Sequence, residues 1–240
     1  VVKPYWSDEE HMLTLYHADC RDMLGPGCLT QAQTCYADPV WPNALPEMAG
    51  AENPEALFGE VCEFLPKSVL RLMVHLGADS DPRFLAAVPR DRFPFFRAAT
   101  LDYARPHYKG RILYSFDVGY MFGPPPASRP GYHVVPGRVW HTDASRSKHR
   151  DSHPCSRRLS HVRWLLDRFS EPQDMILDPF AGAGTTLLAA MLTGRGAIGI
   201  EIDEKFCQQA ATRLEQVIQI GGLFGDERMV PLLRRAAGEE

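Results

Sequence analysis

The segment Met175-Ile-Leu-Asp-Pro-Phe-Ala-Gly-Ala-Gly-Thr-Thr-Leu-Leu-Ala-Ala190 limits what this chain can fold into more than any other stretch. An apolar strand runs into a glycine turn and then into a helix-forming run. Gly182 and Gly184 remove side chains where a backbone must come close to a neighbour or a ligand. One strand later, Ala197-Ile-Gly-Ile-Glu-Ile202 ends on a carboxylate. In open α/β sheets, ligands bind beyond the carboxyl ends of the strands, and an acid there can accept ribose hydroxyl protons. No third glycine completes the dinucleotide fingerprint, and no Gly-Lys-Ser/Thr follows to cradle phosphates. The pattern suits a neutral or cationic nucleoside better than a triphosphate.

Elsewhere, strands and helices alternate. Strands are expected over Leu13–Tyr16, Thr34–Ala37 and Leu70–Leu76, the last a continuous apolar run of the kind that a parallel sheet buries. Ala99–Tyr103, Arg111–Phe116 and Val118–Phe122 also read as strands, with the last two closing a hairpin. Met175–Leu177 and Ala197–Ile200 complete the set. Helices are expected over Pro54–Lys67, Phe84–Val88, Ser156–Phe169, Thr185–Thr193 and Glu204–Ile220. Alternation of this kind predicts a doubly wound, mostly parallel sheet. The 240 residues suit one domain, 1–240, with a short irregular surface insert over 124–152.

Composition adds two constraints. The chain carries a net charge of −4, yet between residues 129 and 168 nine Lys and Arg face only three Asp. A local basic strip in an acidic protein points to a polyanion partner. No apolar run reaches the ~20 residues of a membrane span, and no apolar core follows Val1–Tyr5, so a soluble cytoplasmic protein is the expectation. The six cysteines form no Cys-x-x-Cys pair, and reduced thiols are the default. His133, His141, His149, His153, Cys155 and His161 lie close in sequence, but without paired cysteines no metal site is expected.

A second feature is Asp38-Pro39-Val40-Trp41, placed directly after the apolar strand Thr34–Ala37. Alone it is an ordinary strand-ending turn. Together with Asp178-Pro-Phe-Ala-Gly-Ala-Gly-Thr185, Gly194-Arg195 and Gly199-Ile-Glu201, it resembles the amino-group DNA methyltransferases, in the order that places the catalytic motif before the cofactor motif. The resemblance implies the seven-stranded methyltransferase sheet and S-adenosylmethionine as cofactor. It assigns the cofactor site to Asp19, Cys20, His153, Asp178, Pro179, Phe180, Gly182, Gly184, Thr185, Glu201 and Ile202. Within that set, Asp178, Phe180 and Gly182 border the methionine end, Glu201 holds the ribose, Asp19 reaches the adenine, and His153 helps enclose the methionine. The chain departs from the family at Val40, where Pro is usual, and at Arg157-Arg158, where Lys-Pro is frequent.

The same resemblance makes Asp38, Pro39, Val40 and Trp41 the catalytic group. An aromatic amine is a poor nucleophile because its lone pair is delocalised into the ring. A carboxylate accepting one N–H and a backbone carbonyl accepting the other direct the lone pair toward a methyl donor and stabilise the developing positive charge. The adjacent indole can stack on a base taken out of the helix. Asp rather than Ser at the first position leans toward adenine N6 over cytosine N4. The expected partner is double-stranded DNA, with phosphate contacts from Arg129, Arg138, Arg146, Lys148 and Arg150 in the insert; a homodimer is compatible with so short an insert. The alternatives are a cytosine-N4 enzyme, an RNA adenosine-N6 methyltransferase, which shares the Trp of the motif, and an inactive binding module of the same fold. A cytosine-C5 mechanism through Cys155 lacks its companion motif.

Overall fold

The computed structural model describes residues 2–42, 46–77, 80–128, 130–131, 133–139 and 157–224. In chain order these form β1 (Trp6–Asp8), β2 (Leu13–His17), α1 (Cys20–Met23), β3 (Thr34–Ala37), α2 (Pro54–Phe64), β4 (Arg71–Leu76) and a 3-10 turn over Pro82–Ala87. There follow β5 (Phe95–Lys109), β6 (Ile112–Phe122), β7 (Arg138–Val139), α3 (Leu159–Phe169), β8 (Met175–Asp178), α4 (Thr185–Leu192), β9 (Gly196–Glu201) and α5 (Glu204–Phe224). Among the described residues the strands make one nine-stranded sheet in the order β1-β2-β9-β8-β3-β4-β6-β5-β7. From β2 to β4 every neighbour is parallel. The strand β6 runs against both β4 and β5, β1 runs against β2, and β7 is parallel to β5.

Side chains alternate between two buried faces, as a strand's two-residue period requires. Leu13, Leu15, Tyr36, Met73, Ile176 and Ala197 pack with Val162 and Leu166 of α3, Leu188 of α4, and Ala210 and Leu214 of α5. Cys35, Ala37, Leu72, Val74, Leu177, Ile198 and Ile200 pack on the other side with Phe58 and Val61 of α2 and with Phe84. Helices therefore cover both faces, and the sheet is doubly wound as the alternation predicts. From β8 the chain steps one way to β9, and from β3 it steps the other way to β4. The topological switch point, where such sheets open a crevice, lies between Asp178 and Asp38.

Two sequence expectations are corrected. Arg111–Phe116 and Val118–Phe122 are not two arms of a hairpin but one strand, β6, whose partner β5 begins at Phe95; the hairpin turns at Gly110 and Arg111. Asp117, between the two expected strands, is 3% exposed and bonds to His75 and Arg157. The stretch 124–152 is not wholly irregular either, since Arg138–Val139 adds a short strand beside β5.

Gly184 holds two helices together. It caps α4 with φ of 74°, and a Cβ there would sit 2.9 Å from the Cβ of Ala210 on α5. Gly184→Ala therefore combines left-handed strain with overpacking, and should cost about 2 kcal/mol or more. Urea unfolding measures this directly; an unmoved midpoint would show that the helix contact tolerates a methyl group.

Candidate active site

The switch-point crevice is a cleft of about 340 Å³, within the range of small-molecule sites. One wall comes from the ends of β8 and β9. Asp178 is 2% exposed. Its Oδ1 accepts the Phe180 N–H at 2.9 Å, and the Thr186 hydroxyl also bonds to it. Burial pushes its carboxyl up to about 7, with the charges of Asp38 and Glu201 adding to the effect. Glu201 accepts the Gly182 N–H at 2.7 Å on Oε2 and the Asp203 N–H at 2.8 Å on Oε1. Gly182 has φ of 49°, a left-handed conformation that glycine adopts without strain. Burial raises the Glu201 carboxyl as well. Arg213 donates to the Thr185 hydroxyl at 3.0 Å, tying α5 to the start of α4.

The Asp178 shift has a definite sign. In the unfolded chain an aspartate ionises near ~3.9, whereas the folded group keeps its proton up to about 7. Its contribution to stability is therefore full below about pH 4 and is lost as the pH rises through 7. Asp178→Asn should flatten that decline and raise the melting temperature of the ligand-free protein by several degrees at pH 8. Melts at pH 5 and pH 8 compare the two proteins; an identical pH dependence would mean that Asp178 is not the group responsible.

The opposite wall follows β3. Arg157, two residues before α3, grips Asp38 with a two-pronged ion pair, Nε to Oδ2 and Nη2 to Oδ1, both at 2.9 Å. Its third nitrogen, Nη1, donates to Asp117 Oδ2 at 2.9 Å. Behind Asp117 stand His75, with Nε2 at 3.1 Å, and Tyr36, whose hydroxyl is 2.8 Å from His75 Nδ1. Burial, followed by the Arg157 charge, depresses the His75 pKa, and burial raises that of Tyr36. The partners then assign a neutral imidazole that donates from Nε2 to Asp117 and accepts the Tyr36 O–H at Nδ1. Trp41 is 9% exposed. Its ring meets Phe84 edge-on at 6.3 Å, and the Arg157 guanidinium lies 5.0 Å from the ring centre.

Most residues singled out from sequence meet here. Asp19, Cys20, Asp38, Pro39, Val40, Trp41, Asp178, Pro179, Phe180, Gly182, Thr185, Glu201 and Ile202 all line the cleft. Gly184 is not part of the lining; it packs helices, as above. Asp19 lines the cleft with its carboxylate already engaged, capping α1 and accepting from Arg21 Nη2 at 2.6 Å, and Arg21 lowers its pKa. Arg138 is not in the lining either; on β7 its guanidinium pairs with Asp102. Arg129, Arg146, Lys148, Arg150 and His153 lie outside the described residues, as do His141, His149 and Cys155. His161 is a core residue bonded to the Asp102 carbonyl at 3.0 Å. Among the described residues no group of three His, Cys, Asp or Glu could hold a metal, and no helix is long and apolar enough to cross a membrane.

Sequence reasoning did not reach Tyr36, His75, Asp117 and Arg157 as a connected set. The available signal was polar side chains inside otherwise apolar strands. Glu47–Gly50 and Asp203 also enter the lining unannounced.

Comparison with known proteins converges on one family. Residues 102–212 match the family model described as DNA methylase, for N6 and N4 enzymes. Among curated proteins, the DNA adenine methyltransferase YhdJ of Escherichia coli K12 is 31% identical over 108 residues, covering 43% of this chain and 35% of that protein. The chain spans about a third or less of the length of the first curated relatives it matches. Among solved structures, the M1.HpyAVI–SAM complex aligns over 85% of this chain and 99% of its own, with 18% identity and a TM-score of 0.62. The cytosine-N4-specific PvuII DNA methyltransferase aligns over 95% and 93%, with 15% identity and a TM-score of 0.61; both likenesses speak to the fold. The matched segment takes in the second half of β5, β6, α3, the Asp178 loop and Glu201, and over it the chain is similar to the amino-group DNA methyltransferases, the N6-adenine and N4-cytosine family.

Proposed function

We propose that this protein transfers the methyl group of S-adenosylmethionine to an exocyclic amino group in double-stranded DNA, with adenine N6 preferred over cytosine N4. The observation that carries the reading is a single cleft at the switch point, lined on one side by Asp38–Trp41 and on the other by Asp178–Ala183 and Glu201.

The residues present fit the cofactor. Asp178, Glu201 and Asp203 line one cleft, a donor set suited to a cationic nucleoside and hostile to a polyphosphate. Each Glu201 oxygen accepts one backbone N–H and keeps a lone pair for a ribose hydroxyl. When bound, the cofactor supplies an electrophilic methyl group on a sulfonium. The rest is the work of the chain. Asp38 accepts one N–H of the target amine, and a carbonyl of the Pro39-Val40 turn accepts the other. The amine lone pair is thereby aimed across the cleft, and Asp38 can take up the proton that the alkylated nitrogen sheds. Trp41 offers the stacking face.

Aspartate at position 38 supports the adenine preference, and YhdJ is named as an adenine enzyme, whereas the PvuII enzyme is named as cytosine-N4-specific. The stretch 124–152, with Arg129, Arg138, Arg146, Lys148 and Arg150, is the proposed contact to DNA phosphates. Expression in a bacterial strain free of DNA methylation, followed by mass spectrometry of its nucleosides, tests the reading. N6-methyladenine in the DNA is the expected product. N4-methylcytosine would reverse the base preference, and methylated RNA with unmodified DNA would overturn the substrate.

A further inference from the structure

The Arg157 guanidinium makes two of the three contacts that the proposed mechanism reserves for the base, those to Asp38 and Trp41. It is planar, it donates N–H groups to both oxygens of Asp38 at 2.9 Å, and it lies over the Trp41 ring at 5.0 Å. A stacked amino base would need the same carboxylate and the same ring face. The side chains of Arg157 and Asp38 are 14% and 18% exposed, so the pair stands at the rim of the cleft rather than deep in the core.

Resting on the function proposed above, we infer that Arg157 is an internal stand-in for the target base, an exchangeable occupant that the base must displace from Asp38 and Trp41. The geometry provides a resting place for the displaced group. Arg157 Nη1 already pairs with Asp117 at 2.9 Å, and His75 anchors Asp117 from behind. The guanidinium can therefore release Asp38 without losing every ionic partner. Exchange of this kind also selects the substrate. A base that brings an amino group returns one N–H donor to Asp38 in place of the two that Arg157 withdraws. Thymine brings a carbonyl, which leaves the carboxylate facing an acceptor, and an unpaired buried charge is costly.

A lysine at 157 keeps the charge but loses the flat, two-pronged fork and most of the stacking. It should weaken the occupied state and enlarge the fraction of protein open to a base, and apparent affinity rises in proportion to that fraction. Arg157→Lys is therefore expected to bind 2′-deoxyadenosine about fivefold more tightly than wild type in calorimetric titration, and Arg157→Ala more tightly still. Thymidine binding should not change. In methyl transfer to unmethylated bacterial genomic DNA, the KM of Arg157→Lys should fall by a similar factor. If nucleoside affinity is unchanged or weaker in both variants, or if KM stays level while kcat drops, Arg157 is a fixed brace for Asp38 and the inference fails. If wild type transfers no methyl group at all, the proposed activity fails, and the nucleoside titration still decides the role of Arg157.

Discussion

Asp38→Ala should abolish methyl transfer, by at least about a thousandfold, while cofactor binding survives. Removing one pre-aimed partner of the developing charge typically costs about 10²–10³ in rate, and losing a proton acceptor adds to that. Asp38 stands at the end of β3, whereas the Glu201 and Gly182 contacts belong to the other wall, so the methyl donor's site should stay intact. The substitution also strips Arg157 of its two bonds to Asp38 and leaves the guanidinium with Asp117. Some loss of stability is expected, and a thermal melt run in parallel will separate it from the kinetic effect. Asp38→Asn keeps one oxygen acceptor without the charge and should fall between alanine and wild type. Radiolabelled methyl transfer together with cofactor calorimetry provides the measurement. Turnover near the wild-type rate in the alanine variant would move the catalytic role elsewhere.

Glu201→Ala should fail in the opposite way, at binding. The side chain is 9% exposed and accepts two backbone N–H groups, those of Gly182 and Asp203. Its loss leaves both donors without a partner, at about 1–3 kcal/mol for each one that stays buried. It also removes the ribose acceptor. The affinity for S-adenosylmethionine should weaken about a hundredfold, and the melting temperature should fall even without the cofactor. Glu201→Gln keeps one acceptor oxygen and should lose less of both. Unchanged cofactor affinity in the alanine variant would limit Glu201 to holding the 178–184 loop. The two substitutions together divide the cleft, since one side is expected to govern rate and the other occupancy.

Much of this arrangement was legible before any coordinates. Thr34–Ala37 is a strand at its expected bounds, and Asp38 follows it at the carboxyl end of an interior strand. The Asp178–Thr185 turn and Glu201 were equally plain, since strand, glycine turn and helix are set by residues within one short window. Errors arose where a residue's surroundings come from elsewhere in the chain. Asp117 falls between two expected strands until its bonds to His75 and Arg157 are known. Gly184 reads as a ligand-binding glycine until Ala210 is found against it.

The local pattern of the chain was enough to specify two strand-end loops, the cofactor-type turn and the carboxylate-Pro-x-Trp turn, because each depends on neighbours a few residues away. That these loops share a cleft follows from the order β9-β8-β3-β4, which places residues 38 and 178 beside each other at the point where the winding reverses. Only the folded molecule brings Tyr36, His75, Asp117 and Arg157 into one chain of contacts. Their meeting depends on the register of β3, β4 and β6 and on the placement of α3, and no periodicity along the sequence encodes that register.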